Sequence, residues 1–198
     1  LQERLNLPTG LALGLERLAE AQFEPGQLAE AERSWQRLIR YGQEIGDQGL
    51  EARSRAWLGC LLGYRGAGER AERELDAASA AQPDNAPLQI WVHLHRAWLA
   101  LLRREAEKVM EATETMVQWM AETANDPAAD DGVHNLAWTC WLLGAAHLIL
   151  GDLSQAEAYL HQASDMCHES HQTQLEPDIL LAWACWYQAK GDRGKAQE

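Results

Sequence analysis

The sequence predicts an all-α fold, a solenoid of antiparallel helix hairpins stacked side by side. Good helix formers dominate the chain, and runs of alternating apolar and polar residues that would indicate β-strands are nearly missing. A pattern of small and bulky residues also recurs along the chain, as it does in repeat proteins. With 198 residues, the chain is long enough for one repeat array with a buried core.

Each copy of the pattern has a Gly, then an Ala five residues later, then a bulky apolar residue four positions after that. The Gly is expected to end the first helix of a hairpin in a left-handed conformation, which a β-carbon would penalise. The Ala lets the two helices approach closely, and the bulky side chain fills the space between them. The copies are Gly26, Ala31 and Trp35; Gly66, Ala71 and Leu75; Gly151, Ala156 and Leu160; and Gly191 with Ala196.

The spacing of the copies predicts five repeats. Ala31 and Ala71 are 40 residues apart, and so are Ala156 and Ala196. The 85 residues between Ala71 and Ala156 leave room for one more unit, which we centre on Ala106 and Met110, with Leu101 in place of its turn Gly and Leu94 at the small position of its first helix. The predicted domain is a single array, 1–198, with repeats at 12–49, 50–85, 86–130, 131–171 and 172–198, the last one cut short.

Each repeat should contribute two helices. The first helices are predicted at 10–24, 50–65, 87–102, 132–150 and 176–190. The second helices are predicted at 27–46, 68–82, 104–124 and 153–170, and a fifth should begin near Arg193. Pro83 ends the second helix of the second repeat, and the acidic, breaker-rich stretch 125–132 forms an inter-repeat turn.

The second repeat carries the fullest pattern, with Trp57-Leu58-Gly59, Leu62, Gly66, Ala71, Leu75, Ala78 and Pro83. These small and large positions resemble those of the tetratricopeptide repeat (TPR) family, and the fourth repeat resembles it through Leu143-Gly144, Gly151, Ala156, Leu160 and Ala163. The long unit is similar to the TPR arms of bacterial transcription regulators and signal-transduction ATPases. The resemblance implies a right-handed superhelix whose first helices line a concave groove. It also implies a non-catalytic protein–protein interaction module that binds a peptide or partner domain, as a piece of a larger regulatory protein.

The resemblance further implies which first-helix residues face the groove. Four of the nine tryptophans fall on this stripe, and exposed aromatic side chains make strong contacts with partners. The alternative, that these tryptophans are core residues between adjacent helices, remains open; Trp35, Trp57 and Trp183 fit packing positions and are predicted in the core. The implied groove residues are Arg53, Cys60, Tyr64, Trp91, His95, Trp98, Trp138, Trp141, Leu148, Leu181 and Gln188, together with Glu16, Glu20, Phe23, Ala56, Ala145 and Cys185.

The net charge of −13 narrows the class of partner. It disfavours nucleic acid and anionic membrane surfaces, which bind through Lys and Arg. We expect a basic, amphipathic peptide or helix rather than an acidic tail, because Arg53 is the only cationic residue on the implied groove. Exposed apolar faces at the ends of the array also predict a weak homodimer.

No motif in the sequence predicts an enzyme or a cofactor. Gly66, Gly68 and Ala71 spell a dinucleotide-binding pattern, but they lie between two helices rather than between a strand and a helix. The four cysteines are scattered without a CxxC pair, and neither a signal peptide nor a membrane span is visible, which indicates a cytoplasmic protein. An alternative function is a ligand-sensing arm of a bacterial transcription regulator or signalling ATPase that binds a small molecule.

Overall fold

A computed structural model describes the backbone of residues 2–23, 26–123, 132–170, 175–192 and 194. It describes their side chains apart from those of 2–9, 11, 20, 122–123 and 132–135. Within these ranges, all regular secondary structure is α-helical. The helices are α1 (Gln2–Phe23), α2 (Leu28–Ile45), α3 (Gln48–Tyr64), α4 (Gly68–Ala81), α5 (Ala86–Leu102), α6 (Ala106–Thr123), α7 (Gly132–Leu150), α8 (Leu153–Ser170) and α9 (Glu176–Lys190). None of these described helices combines the length and apolarity needed to cross a membrane.

The predicted helices agree with the observed ones to within a few residues, with one exception. Helix α1 begins at Gln2 rather than near residue 10. The helix predicted from Arg193, the stretch 125–131 and the side chain of Glu20 lie outside the described residues.

The chain divides into two compact units. Unit 1 comprises residues 1–92, in which α1 packs on α2, α2 on α3, α3 on α4, and α1 also on α3. Unit 2 comprises residues 93–198, in which α6 packs on α7, α7 on α8, α8 on α9, and α7 also on α9. Each unit therefore pairs helices that are neighbours in the chain and adds contacts between successive first helices. That all five repeats form one domain stays a prediction.

The turn glycines behave as the pattern predicts. Gly66 has φ of 72°, and Gly151 has φ of 78°. The amide of Gly66 donates to Gly63 O at 2.9 Å, and the next amide, that of Ala67, donates to Leu62 O at 2.9 Å. These two bonds satisfy carbonyls that the end of α3 would otherwise leave open, so the chain turns at once into α4.

The close approach of the two helices in a hairpin is also confirmed. Gly59 lies so near α4 that a β-carbon there would sit 2.8 Å from Leu75 Cγ. Gly144 stands in the same relation to Leu160, at 2.9 Å. Ala71, like Ala31 and Ala156, is fully buried. A glycine on one helix and a leucine on the other therefore interlock in both the second and the fourth repeats.

The predicted register of the third repeat is wrong by three residues. Its turn residue is Arg104, with φ of 59°, and its amide donates to Leu101 O at 2.9 Å, as the amide of Gly66 does to Gly63 O. Val109, five residues after Arg104, is therefore the equivalent of Ala71 and is fully buried. Met110, predicted as the bulky core residue, is 36% exposed. The small position of the first helix is Ala97 instead of Leu94.

A buried amide joins the end of α4 to the first turns of α5. Gln89 is 3% exposed, and its Oε1 accepts a hydrogen bond from Ser79 Oγ at 2.8 Å. Its Nε2 donates to Ser79 O at 3.1 Å and to Gln82 O at 2.9 Å. Gln89 therefore caps the carbonyls of α4, a helix that ends without a left-handed glycine.

Candidate partner-binding surface

Four aromatic rings of unit 1 form a row across three first helices, and we call this row the aromatic ladder. In order, it consists of Tyr64, Phe23, Trp57 and Trp91, with ring centroids separated by 5.4, 6.3 and 4.9 Å. None of the four side chains is buried, and Tyr64 is 53% exposed. The ladder therefore presents rings from α1, α3 and α5 on the surface of unit 1.

A buried tryptophan supports the ladder from beneath. Trp35 on α2 stacks on Trp57 with centroids 5.6 Å apart and planes 3° from parallel, and it is 1% exposed. Stacking against a ring that is itself held in the core fixes the orientation of the half-buried Trp57 ring. The orientation of the Trp57 ring is thus fixed in the unbound protein. A ring that is already fixed loses less conformational entropy when it is bound.

An ion pair lies on the same two first helices as much of the ladder. Arg53 Nε on α3 is 3.6 Å from Glu16 Oε1 on α1. The Arg53 side chain is 56% exposed and Glu16 is 19% exposed, so the pair adds little stability. Glu16 offsets the positive charge of Arg53.

The other arginine of α3 is also held by carboxylates of unit 1. Arg55 donates to Glu51 at 2.9 Å and to Glu74 of α4 at 2.8 Å. Burial lowers the pKa of Arg55, but these hydrogen bonds outweigh burial and raise it overall. The pKa of Glu51 is lowered, first by a hydrogen bond from Gln43 and then by Arg55. This arginine therefore stabilises the α3–α4 hairpin.

Two residues of α3 predicted to line the groove are inaccessible. Cys60 is 3% exposed and Ala56 is 1% exposed, so the prediction that they face a partner is wrong. Burial raises the pKa of the Cys60 thiol far above its usual range, which keeps it neutral. Both residues lie on the part of α3 that packs within unit 1, a face that helical spacing alone did not separate from the exposed one.

In unit 2, the prediction is wrong for Trp141. This side chain is 5% exposed, and its Nε1 donates to Asp178 O of α9 at 3.1 Å. Trp138 is partly exposed, with its ring 5.5 Å from that of Trp141 at an interplanar angle of 88°. Helix α9 therefore covers Trp141 and leaves Trp138 partly open, and the same burial raises the pKa of Asp178.

The other predicted groove residues of unit 2 are accessible to different degrees. Leu181 is 64% exposed, and Gln188 and Cys185 are also exposed. The partly exposed residues are His95, Trp98, Ala145 and Leu148. Since Trp91 belongs to unit 1 and Trp98 to unit 2, a single groove that holds both stays a prediction.

Trp57, predicted in the core, is half-buried and contacts two other members of the ladder. A signal for this was present. Trp57 follows Arg53 by four residues and precedes Tyr64 by seven, which places all three on one helical face. Trp35 is buried as predicted, whereas Trp183 is half-buried.

The described residues also include His, Cys, Asp and Glu side chains, the types that bind metals or react with substrates. Among them, no three His, Cys, Asp or Glu side chains come together as a metal site. Burial raises the thiol pKa of Cys60, Cys140 and Cys167, which makes each a weaker nucleophile. The pKa of His93 is lowered by burial and by Arg96.

Comparison with known proteins shows the fold class. No protein-family model and no curated protein matches the chain. Among solved structures, the chain is similar to the crystal structure of BtubC (BKLC) from P. vanneervenii, with a TM-score of 0.69 and 19% sequence identity. The match covers 96% of this chain and 77% of that one. The predicted fold class, an all-α solenoid of helix hairpins, is confirmed.

Proposed function

We propose that the chain is a non-catalytic protein-interaction module that binds a basic, amphipathic peptide or helix on the aromatic ladder of unit 1. The observation that carries this proposal is the ladder itself, four unburied rings supported by the Trp35 stack. Buried surface on large, ordered aromatic rings supplies much of the binding energy in protein interfaces. Helical-repeat folds offer extended surfaces for such partners, which supports the same assignment.

The charge of the molecule supports a basic partner. The net charge is −13, and Arg53 on α3, the helix that carries Trp57 and Tyr64, is paired with Glu16. The faces of Trp and Tyr rings attract cations, and the overall field concentrates them near the surface. An acidic peptide would meet repulsion from the field, with the charge of Arg53 already offset by Glu16.

We also propose that the hairpins are long TPR-type repeats and that the protein acts in the cytoplasm. The interlocked pairs Gly59–Leu75 and Gly144–Leu160 support the repeat assignment. Cys60, Cys140, Cys167 and Cys185 are all free thiols, the state that a reducing compartment maintains.

A peptide titration tests the proposed function. The probes are a synthetic amphipathic helix with a Leu/Trp face and a Lys/Arg face, and its counterpart with Glu at every basic position. We expect the basic peptide to bind more tightly, and its affinity to fall as salt is raised. The Tyr64→Ala/Trp91→Ala double variant should bind it about tenfold or more weakly, because it removes both ends of the ladder.

Tyr159→Ala is the matched control. Tyr159 is a half-buried aromatic residue on α8 of unit 2 whose ring stacks on His147 at 5.5 Å, and it is not a member of the ladder. Its loss should leave peptide affinity unchanged, and circular dichroism should show that all variants keep their helicity. Tighter binding of the acidic peptide, or equal binding by the ladder variant and the wild type, would overturn the proposal.

A further inference from the structure

The first three rings of the aromatic ladder follow the axis of α3. Tyr64 and Trp57 are seven residues apart on this helix, so they stand on one face with about 10.5 Å of axial rise between them. The Phe23 ring of α1 lies 5.4 Å from the Tyr64 ring and 6.3 Å from the Trp57 ring. These two steps together only slightly exceed the axial rise, so Phe23 occupies the level of the turn between its two neighbours.

The rings of this row do not form a flat surface. The Phe23 ring is inclined by 66° to the Tyr64 ring and by 68° to the Trp57 ring. The Trp91 ring of α5 follows Trp57 at an inclination of 55°. Each ring is therefore tilted against the next, and the row is ridged with a period of about one helical turn. A partner fits such a surface when its own side chains project with the same period, as ridges fit grooves between packed helices.

The period of the rings distinguishes between partner conformations. From Tyr64 to Trp91, the three ring-to-ring steps are 5.4, 6.3 and 4.9 Å. Together they cover at most about 17 Å, and three turns of an α-helix rise about 16 Å. Side chains on one face of a β-strand are about 6.6–6.8 Å apart, and a polyproline helix rises about 9 Å per turn. An extended partner is therefore out of register with the rings by the fourth contact, whereas an α-helix stays in register.

We propose that the partner of the ladder binds as an α-helix with apolar side chains at positions i, i+4, i+7 and i+11, an inference that rests on the function proposed above. These side chains project from successive turns on one face, so each contacts a successive ring of the ladder. The remaining surface of the helix carries Lys and Arg, because the net charge of −13 favours a cationic partner. The partner class is thereby narrowed from basic peptides in general to basic amphipathic helices of at least three turns.

Folding of the partner is coupled to its binding. A segment of about 12–15 residues is only marginally helical in water, so it becomes a helix when it contacts the ladder. The ladder itself needs little ordering, since Trp35 already holds Trp57 from beneath with planes 3° from parallel. The helix propensity of the partner should therefore change its affinity even at positions that do not contact the protein.

Two synthetic peptides of identical composition test the conformation with the wild-type protein. Both contain Leu, Lys and Ala in about sixteen residues, which as a helix span more than four turns. The helical peptide has Leu at i, i+4, i+7 and i+11, and the alternating peptide has Leu at every second position of its centre. We expect the helical peptide to bind at least tenfold more tightly in fluorescence anisotropy titrations. The ¹³Cα chemical shifts of the labelled peptide should move to helical values on binding.

Glycine substitutions separate helix formation from contact. Two Ala→Gly changes on the solvent face of the helical peptide should weaken its binding about tenfold, because they lower helix propensity without removing a side chain that meets the ladder. The same two changes at Ala positions of the alternating peptide are the control and should have little effect. Unchanged affinity of the helical peptide after these changes would overturn the inference.

Phe23→Ala locates the bound helix on the row. This variant removes the ring between Tyr64 and Trp57 and should weaken binding of the helical peptide about tenfold, with Tyr159→Ala again as the control and circular dichroism as the test of folding. Equal binding by the Phe23→Ala variant and the wild type would contradict the proposed position.

The outcomes distinguish this inference from the proposed function. If the alternating peptide binds as tightly as the helical one, and Tyr64→Ala/Trp91→Ala weakens both, the ladder is the binding site but its partner is not a helix. If neither peptide binds, the inference and the proposed function fail together.

Discussion

The turns of the second and third repeats have the same backbone form but different residues. Gly66 turns the chain from α3 to α4 with φ of 72°, and Arg104 turns it from α5 to α6 with φ of 59°. Both make the same pair of backbone hydrogen bonds. The left-handed conformation costs a residue with a β-carbon about 1–2 kcal/mol, so the turn at Arg104 lowers the stability of the third repeat. The repeat is therefore defined by its turn geometry and only usually by glycine.

The interiors of the same two repeats differ in a compensating way. The second repeat has Ala71 and Leu75 where the third has Val109 and Thr113, and all four are buried. In the third repeat, Val109 is larger than Ala71 and Thr113 is smaller than Leu75. The two differences partly compensate, and the bulkier side chain lies one turn earlier in the helix. Thr113 Oγ1 donates to Val109 O at 2.9 Å, which satisfies a hydroxyl that burial would otherwise penalise.

The largest expected effect comes from filling the close approach in the second repeat. We expect Gly59→Leu to lower the free energy of unfolding by about 3 kcal/mol, because even a β-carbon at this position meets Leu75 at 2.8 Å. Urea denaturation would measure the loss. Gly10→Leu is the control, since nothing lies within 4 Å of a β-carbon on this helical glycine. If Gly59→Leu is no more destabilising than Gly10→Leu, the hairpin packing described above is wrong.

A smaller effect distinguishes the two registers of the third repeat. Val109 is fully buried, so Val109→Ala should cost about 2 kcal/mol of unfolding free energy. Met110 is 36% exposed, and Met110→Ala should cost less than about 0.5 kcal/mol. Thermal and urea unfolding of both variants would measure the difference. The register centred on Ala106 and Met110 requires Met110→Ala to lower the free energy of unfolding strongly. That result would contradict the register centred on Val109.

The smallest effect concerns the turn residues themselves. Gly66→Ala should lower the free energy of unfolding by about 1 kcal/mol, because a positive φ strains the backbone of an alanine. Arg104→Gly should raise the free energy of unfolding by about 0.5 kcal/mol. The backbone strain that it removes from the folded state outweighs the conformational entropy that glycine adds to the unfolded chain. The two urea midpoints should therefore shift in opposite directions. Shifts of the same sign would show that the two turns are not equivalent.

The sequence predicted best what depends on a few neighbouring residues. The helix limits and the turns at Gly66 and Gly151 follow from local composition, and the structure confirms them. The third repeat was misplaced because Arg104 carries no sign in the sequence that it adopts the conformation of a glycine. An exposed arginine at this position does not indicate a left-handed backbone.

The exposure of individual groove residues was the least predictable property. Trp138 and Trp141 are three residues apart on one helical face, yet α9, which lies 37 residues further along the chain, covers only the second. Cys60 and Tyr64 are likewise separated by one turn, and only Tyr64 is exposed. Which residue of such a pair meets solvent depends on the packing of distant helices, and helical periodicity does not contain that information.

The side-chain amide of Gln89 affects how fast the backbone amide protons at the α4–α5 junction exchange with water. Because this side chain binds Ser79 O and Gln82 O, the end of α4 cannot fray without breaking hydrogen bonds to the start of α5. Helix ends usually exchange their amide protons fast, through small local openings. Here the two helix ends form one opening unit, and deuterium uptake should proceed in both at a similar rate. We therefore expect this junction between hairpins to exchange its amide protons about as slowly as a helix interior.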